Sequence, residues 1–379
     1  MAFYIDEKLF FDFYINGYQV PITLTDINSL VIVSNYYDLL PALRLDINDN
    51  KGLFAKGTLV DGSIISIALG TNQNNALDNI MEFVYSASPE ELKEKSKDRY
   101  LIYATYNFPK FAHCVEPFGL KGTSDEVLKV IAEKNNLNYK GTSTSDEMVW
   151  LNGTMSYGEF SKFIASHGYI NSDSCMISCV DLNRTLLYKD INNPEYIYTF
   201  TDNPVSNMEL DKKITFNEFQ FANNSSINNF SYGYDSRLIN YDLLGNTNIY
   251  NEVNIRKENN VLNVNRNTYN ETGLIRNDIM STNIGNVHSN WYKAYHQNLK
   301  YKSLKSIEAT LYTYEKTPVN ILDGVNLSFI DPITLEPDTT KSSKWLVQSK
   351  TLAISRRKYV EKYVLTSSGL ETDLYNTLV

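Results

Sequence analysis

The residues of this sequence best suited to bind metal or act as nucleophiles are three cysteines and four histidines. Cys175 and Cys179 lie close together, with His167 upstream. Their spacing does not match a zinc knuckle, and no fourth ligand lies nearby. On an alternating strand both thiols point to the same face, as core residues do. We therefore predict two buried thiols and no metal site.

The other histidines do not form a recognisable catalytic set. His113 is next to Cys114, while His288 and His296 stand near each other without a nucleophile. A serine or cysteine hydrolase needs a nucleophile, a base and an orienting group within hydrogen-bond reach. Phosphate-binding and nucleophile-elbow motifs are also missing from any strand-turn-helix context. We predict no catalytic residue and no cofactor-binding residue.

Two adjacent acids leave one enzymatic alternative open. Asp146 and Glu147 precede Trp150 in a segment that we interpret as a loop. Paired carboxylates beside an aromatic residue could line a sugar cleft, as in glycoside hydrolases. The same pattern is also typical of an ordinary turn that leads into a buried tryptophan.

Composition and charge narrow the class of protein. The chain has 379 residues, 42% of them hydrophobic and 13% aromatic, with 28 tyrosines. This favours a globular, β-rich protein of two or three compact units. The net charge of -9 argues against binding to nucleic-acid phosphates, which requires clustered lysine and arginine. The acidic N-terminus and the absence of a long apolar run predict neither a signal peptide nor a membrane span.

The first part of the chain, residues 1–112, is predicted to be a mostly antiparallel β domain. From Phe10 to Leu24 apolar residues alternate around Asn16-Gly17, which predicts a hairpin with a primed two-residue turn. The charged run from Glu90 to Lys95 is interpreted as a solvated connector. A half-buried strand with a period of two is predicted through Leu43, Leu45 and Ile47.

Residues 113–205 are predicted to be an α+β insertion. Thr123 to Glu126 has the sequence of a capping box and opens a helix that ends near Asn135. A second capping box, Ser156 to Glu159, opens a helix that stops at Gly168. We expect the two helices to flank the loop that carries Trp150, and a hairpin to follow around Asn183.

The remainder of the chain is divided into three segments. An Asn-rich stretch predicts long loops with a few strands, followed by a helix from Trp291 and a strand from Ile307 to Tyr314. We expect one strand of a second β module near Phe216 to Phe221. The segments are the first strands of a second β-barrel at 206–235, a loop-rich continuation of the insertion with a helix at 236–302, and the rest of that barrel at 303–379.

Two distant segments of the chain are similar. Asp61-Gly62 and Asp323-Gly324 both lie between apolar residues and directly before a strand. In each copy we expect Gly to supply the positive φ of a tight turn and Asp to cap it with its carboxylate. A second strand, a charged stretch and a third strand follow in the same order. The predicted fold is therefore β-rich α+β, with two tube-like antiparallel β-barrel domains and an inserted α+β domain.

The order of these features resembles the baseplate hub proteins of contractile-tailed bacteriophages, and the related hub region of type VI secretion spikes. The resemblance rests on the N-terminal β module with Asp61-Gly62, the insert with the Thr123 capping box and Trp150, and the Trp291 helix that leads to Asp323-Gly324. It covers most of the chain. These motifs describe a fold more than a chemistry.

The resemblance implies a homotrimer in which two barrels per subunit give a ring of six similar modules. Such a ring can join a hexameric tail tube to a trimeric central spike and form part of the DNA conduit. It implies a structural virion protein of the tail baseplate, made in the host cytoplasm, with no catalytic residue, cofactor or metal. The implied partners are the tail tube protein, the spike and other baseplate proteins, with the tape measure protein as a further candidate.

Some points stay open at this stage. The chain ends at Val379, soon after the second module, so we expect the spike to be a separate polypeptide. The acidic net charge suits a conduit, since a negative lumen would repel DNA. We predict no specific binding of nucleic acid and no membrane partner. The alternatives are a tail-associated glycan-degrading enzyme and a hexameric distal-tail or tube-like ring protein.

Overall fold

The structure is a computed structural model of the chain. The residues that it describes are 10–23, 25–52, 54, 59–70, 80–85, 90–94, 97–202, 213–223, 235–242, 247–254, 261–262, 276–282, 287–305, 307–330, 343–355, 358–367 and 370–371. Arg356 and Arg357, which belong to the charged stretch expected in the second copy of the repeat, lie outside these ranges.

The N-terminal part of the chain is built of strands. In chain order these are β1 Phe10–Ile15, β2 Tyr18–Gln19, β3 Ile27–Asn35, β4 Ala42–Asn48, β5 Ile64–Gly70, β6 Ile80–Tyr85, β7 Glu90–Glu94 and β8 Lys97–Tyr106. The β1–β2 hairpin turns at Asn16 and Gly17, whose φ angles of 49° and 81° are those of a primed turn. The predicted hairpin is therefore confirmed, as is the inward alternation of Leu43, Leu45 and Ile47.

The charged run that was expected to be a connector is a strand. β7 pairs antiparallel with β8, from Glu90 opposite Leu101 to Glu94 opposite Lys97. The prediction was wrong because strand pairing uses the backbone, and a strand at the edge of a sheet tolerates charged side chains.

A helical segment follows the first strands. Its elements are α1 Pro109–His113, β9 Phe118–Gly122, α2 Ser124–Lys134, β10 Asn138–Gly141, β11 Met148–Asn152, α3 Tyr157–His167, β12 Met176–Val180 and β13 Thr185–Asp190. Both capping boxes are formed, by Thr123 with Glu126 and by Ser156 with Glu159. β12 and β13 make the hairpin expected around Asn183.

Trp150 lies on a strand rather than in a loop. It is in the middle of β11, which pairs with β9 and alternates between exposed and buried side chains. The Trp150 side chain is fully buried, and its Nε1 donates to the carbonyl of Gly122 at 3.1 Å. The loop prediction failed because this strand is short and is defined by its pairing with β9, which the local sequence does not reveal.

The last part of the chain is again mostly strands. The elements are β14 Tyr196–Thr201, β15 Lys213–Thr215, β16 Glu218–Asn223, β17 Asp235–Asp242, β18 Thr247–Asn254, β19 Val261–Leu262, β20 Arg276–Thr282, α4 Trp291–Leu304, β21 Ile307–Thr313, β22 Gly324–Ser328, β23 Ser343–Ser355, β24 Lys358–Ser367 and β25 Leu370–Glu371. The helix at Trp291 and the strand that follows it are as predicted. The Asn-rich stretch includes β17, β18 and β20, which form a small sheet of their own.

Helix α4 returns the chain to the helical segment. The Asn298 side-chain amide donates to the carbonyls of Ala165 and Ser166, and its oxygen accepts from Met176 N at 2.9 Å. Gln297 donates to the carbonyl of Asn171 at 2.8 Å. These bonds fix α4 against the end of α3 and the start of β12.

The same five-strand arrangement occurs at both ends of the chain. The first set has the sheet order β3-β4-β8-β6-β5, and the second has β16-β21-β24-β23-β22. The strands follow in the same order along the chain, and all neighbouring pairs are antiparallel. β6 and β7 together correspond to the long strand β23, since β7–β8 and β23–β24 both end with two residues between the strands. We call these sets the first and second modules.

Strand β23 joins the two modules into one sheet. It pairs with β22 from Ser343 to Leu346 and with β3 from Ser349 to Ser355, with an irregularity after Val347. The result is an open, mixed sheet of the described strands, and the fold is β-rich α+β, as predicted. None of the helices in the described ranges is long and apolar enough to cross a membrane.

Candidate functional site at the junction of the two modules

The two thiols considered as metal ligands are core residues. Cys175 and Cys179 are fully or almost fully buried in one hydrophobic cluster with Ile177, which confirms that alternate residues of this strand share a face. Burial raises the pKa of each thiol to about 12. Neutral thiols are poor nucleophiles and metal ligands. Within the described ranges, no group of three or more potential ligands could hold a metal ion.

His167 is part of an aromatic stack. Its ring lies 3.8 Å from that of Trp291 and 4.9 Å from that of Tyr295, measured between centroids. Burial lowers the pKa of His167 to about 4, and its Nδ1 lies 2.9 Å from the Phe163 carbonyl oxygen. His288 contacts the same residues, with Nε2 3.1 Å from the His167 carbonyl oxygen. Both histidines therefore fix α4 in place.

The two adjacent acids do not act as a pair. Asp146 is fully buried and accepts hydrogen bonds from the backbone amides of Ser124 and Tyr169, both at 2.8 Å. Glu147 is exposed and lies 3.6 Å from Lys121 Nζ. Because one carboxylate holds backbone amides inside the fold and the other faces solvent, the geometry does not make a glycosidase pair.

The turns that precede β5 and β22 are built alike. Gly62 N donates to the Tyr85 carbonyl at 2.8 Å, and Leu322 N donates to the Val347 carbonyl at 2.9 Å. Gly62 and Leu322 both have positive φ, 81° and 62° respectively. Gly62 is therefore the structural equivalent of Leu322.

The residues that follow also match. Ser63 Oγ accepts from Val60 N at 3.1 Å, and Asp323 Oδ2 accepts from Asn320 N at 2.8 Å. In both turns the capping residue also donates its own backbone amide to that partner's carbonyl. A serine hydroxyl and an aspartate carboxylate thus close the same turn.

The Asp-Gly motif is consequently a misleading marker of the repeat. Equivalence of Gly62 with Leu322 means that Asp61-Gly62 and Asp323-Gly324 are shifted by two residues. Gly324 does not have positive φ and serves another purpose, since a Cβ there would lie 2.8 Å from the Glu195 carbonyl oxygen. The two modules match in structure, but aligning their sequences on the Asp-Gly motifs gives the wrong register. A leucine in the left-handed region gives no signal in a sequence.

A cavity of about 420 Å³ lies where the two modules meet the helical segment. Lining residues from the first module include Leu69, Met81 and Tyr106, and those from the second include Lys350 and Glu361. The helical segment contributes Leu182, Asn183 and Arg184. Tyr106 OH donates to the Leu182 carbonyl at 3.0 Å, which ties the first module to the β12–β13 hairpin.

A buried charged network lies on the second-module side of this cavity. Lys350 Nζ is 3.4 Å from Glu361 Oε2, and the two residues are 8% and 1% exposed. Lys350 also donates to the carbonyls of Thr317 and Val319, at 3.2 and 2.9 Å. The network therefore holds the segment before β22 against β23 and β24.

Two tyrosines complete the shell of the buried carboxylate. Tyr359 OH and Tyr363 OH both donate to Glu361 at 2.5 Å, and Thr317 N donates to it at 3.1 Å. Burial, followed by the nearby Glu361 charge, raises the pKa of both tyrosines. Burial lowers the pKa of Lys350. The carboxylate is thus saturated by donors and has no open position for chemistry.

A second ion pair ties the second module to the helical segment. Lys189 Nζ on β13 lies 2.8 Å from Asp323 Oδ1, and both side chains are less than one-fifth exposed. Asp323 is also the capping residue of the turn, so the same carboxylate closes that turn and contacts β13. The sequence analysis did not predict either ion pair, although Lys350 and Glu361 both occupy buried positions of their strands.

Proteins similar to this chain are found among solved structures, but not by comparison of its sequence. No protein-family model and no curated protein matches the chain. The 43 kDa tail protein of prophage MuSo2 from Shewanella oneidensis is similar over 95% of this chain and 99% of its own, with a TM-score of 0.60 at 9% identity. A tail protein from Neisseria meningitidis MC58 is similar over 95% and 98%, with a TM-score of 0.56 at 10% identity.

The E. coli c3393 protein gives a TM-score of 0.48 at 9% identity, over 93% of this chain and 76% of its own. It is described as a type VI secretion component with structural similarity to the T4 tail proteins gp27 and gp5. The chain thus has the fold of phage tail proteins, in line with the resemblance drawn from its sequence.

Proposed function

We propose that this chain is a structural, non-enzymatic hub protein of a phage tail baseplate. In the proposal, three copies form a ring in which the two modules of each chain act as tube-like barrel domains. The ring meets a hexameric tail tube on one side and a trimeric spike on the other, and surrounds the path of the DNA. Residues 113–205, continued by 236–302, form an insertion that decorates the ring.

The observation that carries this proposal is the repeated five-strand module. Its strand order, strand directions and turn hydrogen bonds recur within one chain. Three chains with two such modules each supply six similar surfaces, which is the number that a hexameric tube requires. The true symmetry of the ring stays threefold, which suits a trimeric partner.

The junction supports a mechanical role rather than a catalytic one. β23 of the second module also pairs with β3 of the first. One ion pair, Lys350 with Glu361, joins β23 to β24, and another, Lys189 with Asp323, joins the turn before β22 to β13. A continuous sheet fixes the angle between the modules, because a hinge would break backbone hydrogen bonds. Fixed angles are what a ring of defined curvature needs.

Light scattering on the purified chain tests the proposal. A particle of three chains, seen as a ring of six lobes by negative-stain microscopy, is expected. A ring of six chains would instead identify a tube-like or distal-tail protein. A monomer at all concentrations, in the presence of the tube and spike proteins, would contradict the hub role.

A further inference from the structure

The internal junction between the modules is a head-to-tail contact. The edge of the first module, β3, pairs with the second half of β23, from Ser29 opposite Ser355 to Asn35 opposite Ser349. Two similar modules are thus joined through different surfaces. A contact of this kind leaves the complementary surface of each module available for the next one, and it closes into a ring when the rotation allows.

Each half of the junction has an equivalent elsewhere in the chain. β16 corresponds to β3, because each pairs antiparallel with the next strand of its module. β7 corresponds to the second half of β23. Among the described strands β16 pairs with β21 alone, and β7 with β8 alone. Each of these two strands therefore has one edge that pairs with no described strand, whereas the corresponding edges of β3 and β23 pair with each other in the internal junction.

We propose that β16 of one chain pairs antiparallel with β7 of a second copy, and so repeats the internal junction between chains. This inference rests on the proposed ring and names its subunit interface. In a trimer, three internal junctions would alternate with three such contacts. The edge strands supply the backbone hydrogen bonds, as unpaired edges commonly do.

The internal junction also fixes the register of the proposed contact. Leu92 and Ala353 are equivalent, since each lies two residues before the last pair of its hairpin. Val31 pairs with Ala353. The β16 residue equivalent to Val31 is Gln220. This equivalence follows from the paired residues of β24 with β21 and of β21 with β16. Gln220 of one chain is therefore expected opposite Leu92 of the next.

Cysteine cross-linking tests this register in the full chain. Gln220→Cys and Leu92→Cys are made as two separate chains, each with Cys114→Ser, then mixed and oxidised. A covalent dimer of the two chains, reversed by reductant, is expected because opposed residues of antiparallel strands lie within disulfide distance. Separate chains exclude a bond within one polypeptide.

Two matched controls sharpen the result. Val31→Cys with Ala353→Cys in one chain occupies the equivalent internal position and should form a disulfide without any gain in mass. Gln220→Cys mixed with Lys93→Cys shifts the register by one residue, which turns the side chain to the other face of the sheet. This pair should give little dimer.

The outcomes separate the interface from the function. A trimer by light scattering with the Gln220–Leu92 cross-link supports both proposals. A trimer without that cross-link, when the internal control forms, overturns the interface and leaves the hub function standing. A monomer at all concentrations, also in the presence of the tube and spike proteins, overturns both. In the unmodified protein, hydrogen exchange gives a second readout: slower exchange of 90–94 and 218–223 in the assembled state is expected, and unchanged rates would contradict the contact.

Discussion

Gly62 and Leu322 occupy the same position in the two modules, both with positive φ and both donating to the facing strand. In the first turn a glycine adopts this left-handed conformation, and in the second turn a leucine adopts it, although its side chain is only 1% exposed. The burial of this leucine offsets the strain of the left-handed conformation, which costs a non-glycine residue about 1–2 kcal/mol.

Gly62→Ala should lower the free energy of unfolding by about 1 kcal/mol. No atom lies within 4 Å of a Cβ built at Gly62, so the cost is conformational rather than steric. Gly153→Ala is the control, because its Cβ also meets nothing within 4 Å and its φ is not positive. Equal effects of the two changes in urea denaturation would contradict this account of the turn.

Asp323→Ser should cost less stability than Asp323→Ala. Serine occupies the equivalent position, Ser63, and can still accept from the backbone amide of Asn320. The Ala variant loses the cap as well as the ion pair with Lys189, and the cap alone is worth about 1 kcal/mol. Thermal unfolding of both variants measures the difference. Identical melting temperatures would show that a serine at this position does not stabilise the turn as a cap.

Lys350→Met should destabilise the protein by about 3 kcal/mol, because it leaves Glu361 buried without its cation. Lys121→Met, at an exposed pair with Glu147, should change stability by less than about 1 kcal/mol. The double variant Lys350→Met with Glu361→Gln should lose less than the sum of the single changes. Strict additivity in this cycle would mean that the two buried groups do not interact.

Stability should fall as the pH is lowered from about 6.5 to 4. The folded-state pKa of His167 is lowered to about 4 by burial, so the unfolded chain takes up the proton first. Below pH 4 both states are protonated and the loss levels off, at no more than about 3 kcal/mol from this residue.

His167→Phe keeps the stack with Trp291 and should flatten the pH dependence of urea denaturation in this window. Some slope should remain, since burial also lowers the pKa of His288. His113→Gln, at an exposed position, is the control and should leave the slope as it is. If the His167 variant keeps the full slope, other groups carry the acid sensitivity.

Local features of the fold could be predicted from the sequence because their causes are local. Asn16-Gly17 determines its own turn, and Thr123 and Ser156 cap helices through residues three positions away. β7 was missed because its partner strand, not its charged composition, makes it a strand. The Asp-Gly repeat was found in the wrong register because Leu322 adopts its φ only in the folded context.

The junction could not be predicted, since it depends on pairing between the two ends of the chain. Nothing near Ser349 indicates that β3 will be its partner. Likewise, the pairing of Lys350 with Glu361 requires the register of β23 against β24. The candidate site is therefore a product of the tertiary fold, whereas the excluded sites, built on Cys175 and Asp146, were suggested by sequence proximity alone.

The central claim is that one chain supplies two equivalent modules to a ring. Electron microscopy of the assembled particle at a resolution that separates domains tests it most directly. The account predicts threefold symmetry with six similar modules around the channel, alternating between the first and second module of each chain. A ring of six chains, or a threefold ring in which only one module of each chain surrounds the channel, would contradict it.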